Sequence, residues 1–246
     1  LKLLFLGVGG WISKPRLGHT SLAVIQGPSR RVLLIDAGEG VLRALYEHGL
    51  RVKDLAGIII THLHGDHVLG LPSIVMFAKH YEEVRGLRVY APIEVVGELC
   101  TLMRITGVDY EGTVDLKGVS SGDVVHLDEL EVQFIRALHT VPALSLKVSS
   151  GGVCFAYSGD TTYNPLLVDS ARGCSALVHE ASGYDEKARV HGHSTVQDAV
   201  RVALESGVRK LVLVHYYLDI PQIKPILFGD LEVILAYQGY ELDLEH

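Results

Sequence analysis

The sequence predicts an α+β fold in which two mixed β-sheets pack together with helices outside, and three observations carry that expectation. β-rich runs and helical segments follow one another in two comparable halves. The chain has 246 residues, 48% of them apolar, ample for a large buried core. No linker, low-complexity tract or fixed-period repeat separates the halves, so residues 1–243 read as a single domain.

The first half opens with three strands, at 2–7, 21–26 and 31–36, separated by Gly, Pro and Ser. Residues 39–48 read as a short helix. The run AGIIIT at 56–61 is continuously apolar, the pattern of a strand buried on both faces. Residues 69–81 are apolar at helical spacing, 87–91 are strand-like and 93–105 helix-like, while 75–85 and 110–122 contribute loops that shape specificity. The second half gives four successive strands, at 123–127, 130–138, 143–149 and 153–157. A helix follows at 164–172 with Pro165 in its first turn, then a short strand at 176–179. A helix at 195–206 capped by Ser194 and strands at 211–215 and 231–237 complete the order.

Composition narrows the function. A net charge of −7 argues against a general polyanion-binding surface. The chain reaches Gly9 and Gly10 too early for a signal-peptide core, and no apolar run approaches the roughly 20 residues of a membrane span. Three cysteines, Cys100, Cys154 and Cys174, form no CxxC pair, so a reduced, cytoplasmic protein is expected. Leu244, Glu245 and His246 read as the start of a vector-derived tag. Gly7, Gly9 and Gly10 lack dinucleotide-fingerprint spacing and read as turn glycines.

Thirteen histidines are the anomaly, and their placement is informative. THLHGDH, from Thr61 to His67, puts four potential ligands at the exit of a buried strand. His62 and His64, two apart, project to one side there, and Gly65 permits the turn to Asp66 and His67. Imidazoles that coordinated nothing would be costly at such a place. His139, Asp160 and His215 follow later strands in the same way. Two divalent ions could be held by His62, His64 and His139 on one side and by Asp66, His67 and His215 on the other, with Asp160 bridging. Donors of N and O type suit Zn2+, with Mn2+ or Fe2+ also compatible.

The HxHxDH motif with the later His, Asp and His resembles the metallo-β-lactamase superfamily over nearly the whole chain. AspAlaGlyGluGly at 36–40, HisGluAlaSer at 179–182 and GlyHisSerThr at 192–195 resemble its ribonuclease Z-like branch. The resemblance implies a four-layer αββα sandwich with the metals at one edge. Two divalent ions with Asp66, Asp160 and a bridging hydroxide leave about +1 over neutral imidazoles, which favours an anionic substrate. Bound water near pKa ~7 and two ions about 4 Å apart suit phosphodiester hydrolysis. Asp66 would ligate and orient the nucleophile. His193 is the candidate to stabilise phosphoryl oxygens or protonate the leaving oxygen, with Glu180 orienting its other nitrogen. His179 and His191 read as structural, and residues 36–40 as support for the ligands and a helix start.

The chain departs from the tRNA-processing enzymes of that branch. Their long arm precedes the bridging Asp, whereas here His139 and Asp160 are 21 positions apart. LysProArgLeuGlyHis at 14–19 and TyrTyrLeuAsp after His215 are also altered segments. The expected function is therefore a di-metal phosphodiesterase acting on a small or flexible phosphodiester, RNA included, with no membrane partner and with a homodimer as an expectation by analogy. The alternatives are a tRNA 3′-processing-type endoribonuclease, a thioester or lactone hydrolase, and a non-catalytic metal-binding domain.

Overall fold

Period-two alternation in the first strand sets the layers. In β1 (Lys2–Gly7), Leu3 and Phe5 turn to one side and Leu4 and Leu6 to the other, and all four are buried. A computed structural model describes residues 1–27, 30–217 and 224–244. After β1 come β2 (Ser21–Ile25), β3 (Val32–Ile35), α1 (Val41–Glu47), β4 (Leu55–Ile59), α2 (Gly65–Val68), α3 (Leu71–His80), β5 (Leu87–Pro92), α4 (Val96–Ile105) and β6 (Val114–Val119). The second half contains β7 (Val124–Leu127), β8 (Leu130–Arg136), β9 (Leu144–Ser150), β10 (Val153–Tyr157), α5 (Pro165–Ala171), β11 (Ala176–Glu180) and α6 (Val196–Ser206). It ends with β12 (Lys210–Val214), β13 (Ile226–Phe228), β14 (Leu231–Leu235) and β15 (Glu241–Asp243).

The strands make two mixed sheets, ordered β15-β1-β2-β3-β4-β5-β6 and β13-β14-β12-β11-β10-β9-β8-β7. Between them lies the central core, where Phe5, Leu33 and Ile59 meet Phe134, Leu146 and Phe155. The outer face of the first sheet buries Leu34 and Ile58 under Leu45, Ile74 and Leu99 from α1, α3 and α4. The outer face of the second buries Leu177 and Leu211 under Leu167 of α5 and Val202 of α6. Four layers result, as expected.

Several local expectations need correction. The segment 110–122 contains β6, whose charged, half-exposed edge pattern VDLKGV carries too little apolar alternation to read as a strand. Most of 75–85 belongs to α3. The three-residue strands β13 and β15 are too short for a periodic signal. The cap of α6 is Thr195, whose Oγ1 accepts from the Asp198 N–H at 3.1 Å while Asp198 Oδ2 accepts from the Thr195 N–H at 3.0 Å. Ser194 Oγ donates to the Thr161 carbonyl at 2.7 Å instead. Leu244 is buried and its N–H donates to the Leu1 carbonyl at 2.8 Å, beside β1; 245 and 246 lie outside the described residues.

The cysteines are not all reduced. Cys154 and Cys174 form a disulfide with Cα atoms 4.7 Å apart, and Cys100 is free. The pairing arises because β10 and β11 are parallel neighbours, so the segment entering β11 returns beside the start of β10, where the Ser175 N–H donates to the Cys154 carbonyl. No described helix is long and apolar enough to cross a membrane.

Candidate metal centre

Strand polarity gathers the histidines. β3, β4 and β5 run parallel in one sheet and β10, β11, β12 and β14 in the other, so the loops at their carboxyl ends meet along one edge. The exit of β4 carries His62 and His64, and the short α2 presents Asp66 and His67. His139 follows β8, Asp160 follows β10 and His215 follows β12. The Leu144 N–H donates to the Thr61 carbonyl at 3.1 Å and the His215 N–H to the Val8 carbonyl at 2.7 Å, tying the two sheets at this edge. Gly10 is required here, since a Cβ would stand 2.8 Å from the His215 ring.

All seven residues singled out as ligands come together in two sets around Asp160. His64 Nδ1 is 3.1 Å from both His62 Nε2 and His139 Nε2, and Asp160 Oδ2 lies 3.4 Å from His62 Nε2 and 4.0 Å from His139 Nε2. Asp66 Oδ2 is 2.9 Å from His215 Nε2 and 3.4 Å from His67 Nε2, which in turn is 3.4 Å from Asp160 Oδ1. Donors around a tetrahedral ion with bonds of about 2.0–2.1 Å are separated by roughly 3.3 Å, close to these distances. His67 Nε2 and Asp160 Oδ1 are moreover buried without a hydrogen-bond partner. A shared cation would satisfy both, so the residues fit the ions the motif implies.

The ring nitrogens of His62, His67, His139 and His215 that face away from the two sets are engaged. Asp36, fully buried at φ 60°, accepts from His67 Nδ1 at 2.9 Å, from the Thr61 N–H at 2.8 Å and from the Tyr157 hydroxyl at 3.1 Å. His139 Nδ1 donates to the Gly192 carbonyl at 2.8 Å, and His215 Nδ1 contacts Ser182 Oγ. Each contact leaves Nε2 pointing at its set. His62, His64 and His139 are held below the usual imidazole range, chiefly by burial. Burial also pushes His215 down, but the Asp160 and Asp66 carboxylates outweigh it and lift His215 to about 9. His67 is raised for the same reason. Burial pushes the Asp160 carboxyl up, and His215, His67 and His62 overcome it, holding Asp160 well below the carboxylate range.

His193 and Glu180, expected as a pair, are one. His193 Nδ1 is 3.0 Å from Glu180 Oε1, and Glu180 also accepts from the Thr161 N–H at 2.9 Å and the Ser182 hydroxyl at 2.8 Å. His193 Nδ1 is also 3.8 Å from Asp160 Oδ2. His193 is raised, because the Glu180 contact and charge exceed the effect of burial. It lines an open cavity of about 550 Å³ above the acid–histidine cluster, together with Trp11, His191, Tyr184 and Tyr217. Sequence reasoning missed Trp11, Tyr184 and Tyr217, and assigned His191 a structural role; isolated aromatics carry no spacing signal. Residues 218 and 219 of the altered tail lie outside the described residues.

Comparison with known proteins identifies the family and the fold. Residues 30–216 match the β-lactamase superfamily domain. A ribonuclease Z from Methanothermobacter thermautotrophicus is 28% identical over 269 aligned positions, spanning 87% of this chain and 86% of that protein. The short form of human tRNase Z superposes with a TM-score of 0.82 at 22% identity, over 100% of both chains. The metallo-β-lactamase fold protein YhfI from Bacillus subtilis gives 0.81 at 19% identity, over 98% of this chain and 99% of its own.

Proposed function

This chain belongs to the β-lactamase superfamily as a metal-dependent hydrolase of ribonuclease Z-like type, and on that premise we propose that it is an endoribonuclease of the tRNA 3′-processing kind. Similarity to a ribonuclease Z over 87% of the chain carries the choice of RNA. His62, His64 and His139 would hold one divalent ion, Asp66, His67 and His215 the other, and Asp160 both, with zinc the metal that suits these donors. Bound there, the ions would polarise water and neutralise phosphoryl oxygens.

The protein's own groups supply the remaining chemistry. Asp66 is held below the usual carboxylate range, with the charge of His67 and the His215 contact overcoming burial, so it stays a proton acceptor at neutral pH. Its Oδ1 is buried without a partner and can accept a hydrogen bond from the attacking water, orienting it. Glu180 occupies Nδ1 of His193 and leaves Nε2 as the nitrogen free to give a proton to the leaving oxygen from the cavity wall. The buried Ser182 and Thr161 contacts fix the Glu180 carboxylate and therefore the ring.

A second reading, a phosphodiesterase of small substrates, is favoured by one observation. Only the short segment between β8 and β9 and that between β10 and α5 flank His139 and Asp160, and neither forms an arm that could grip a tRNA body. The deciding experiment presents precursor tRNA with a 3′ trailer, single-stranded RNA, a bis(aryl) phosphate, a thioester and a lactone side by side. Saturable, chelator-sensitive cleavage at the trailer junction is expected. Turnover of the bis(aryl) phosphate with both RNAs intact would replace the first reading by the second.

A further inference from the structure

Trp11 and Tyr184 are large aromatic side chains left 58% and 64% exposed at the same cavity that His193 and Asp160 line. Exposed aromatics gathered at a concave site next to reactive groups mark a ligand surface more than a packing defect. Trp11 is held in place, its ring 5.4 Å from that of His64 in an edge-on arrangement. Trp11 follows Gly9 and Gly10, whose lack of side chains lets this loop lie against Ser13 and the His215 ring. Lys187 adds a cation to the same wall. A second cavity of about 520 Å³ lies beyond His139 and is lined by Arg136. Thr140 borders both cavities, so the surface continues past the metal centre on either side. That continuity suits an extended chain.

We propose that Trp11 and Tyr184 form a base-stacking pocket that seats the nucleobase flanking the scissile phosphate of a single-stranded RNA segment. The proposal rests on the ribonuclease reading and deepens it by naming single-stranded, base-bearing RNA as the chemistry recognised. Stacking on an aromatic face tolerates any base, so the pocket positions the chain without reading its sequence. Arg136, across Thr140, would meet the backbone on the other side.

Trp11 is the sole tryptophan of the chain, so its emission reports on the pocket directly. Adenosine 5′-monophosphate added to the metal-loaded protein should quench that emission saturably, and ribose 5-phosphate, which lacks the base, should not. With RNA oligonucleotides carrying either a base or an abasic residue beside the cleaved bond, the native protein should prefer the base-bearing strand through KM. Trp11→Ala should shrink that preference by about 5- to 150-fold, and Trp11→Phe should restore most of it. Equal quenching by the two phosphates, or a preference that survives Trp11→Ala, would overturn the pocket. Base-dependent quenching in a protein that cleaves no RNA would remove the ribonuclease reading and leave the pocket. RNA cleavage without base-dependent quenching would do the reverse.

Discussion

Replacing Asp36 by Asn tests whether the centre depends on a residue that touches no ion. Asp36 is fully buried, and its two oxygens accept from the Thr61 N–H, the Thr61 hydroxyl, the Tyr157 hydroxyl and His67 Nδ1, all at 2.8 to 3.1 Å. Asn keeps the shape and tolerates the positive φ of 60° at this position. It can still accept from Thr61 through its oxygen. Its amide nitrogen, however, now faces Tyr157 and His67 and can only donate. His67 Nδ1 must then accept, which moves the ring proton to Nε2, the nitrogen that faces Asp66 and Asp160. A protonated Nε2 cannot bind an ion. Loss of such an orienting partner typically costs about 10- to 100-fold in metal affinity. The direct stability cost should be smaller, about 1–3 kcal/mol for one mismatched buried donor. Asp36→Ala would instead orphan several buried donors and should lose more stability. Zinc competition against a chromophoric chelator, with thermal melts of the metal-free proteins, separates the two effects. An Asp36→Asn protein binding both ions within threefold of native would refute the tautomer argument.

Other expectations follow from the same geometry. In the metal-free protein His215 is protonated below about 9, so loading an ion there at pH 7.5 must expel a proton, and calorimetry in buffers of different ionisation enthalpy should detect it. By the same linkage, the metal-free fold gains stability from His215 that is full below its unfolded pKa of roughly 6.5 and is lost as pH rises through about 9. A flat melting temperature across that window in chelator would contradict this. His193→Ala should lower phosphodiester turnover by about 100- to 10,000-fold while metal content stays constant, and simultaneous loss of metal would make His193 a ligand instead. Gly10→Ala places a methyl against the His215 ring and should weaken metal binding; native affinity in that variant would show that the ring can move freely.

The candidate ligand residues were legible because the sequence states them locally. An apolar strand followed at once by HxHxDH leaves few alternatives for buried imidazoles, and His139, Asp160 and His215 each end a recognisable apolar run. The two-sheet architecture was legible for the same reason, since apolar periodicity is a local property. Other features depend on chain segments distant in sequence. The Cys154–Cys174 bond needs β10 and β11 to lie side by side, and the β6 edge needs β5 to pair with it. Asp36 meets Tyr157 across 121 positions, and Trp11 meets Tyr184 at one cavity only after both sheets have closed on each other. The sequence by itself therefore determined which residues could carry the chemistry. Tertiary structure decided which nitrogen of each imidazole faces inward and what walls the cavity, because those depend on partners that no spacing in the chain encodes.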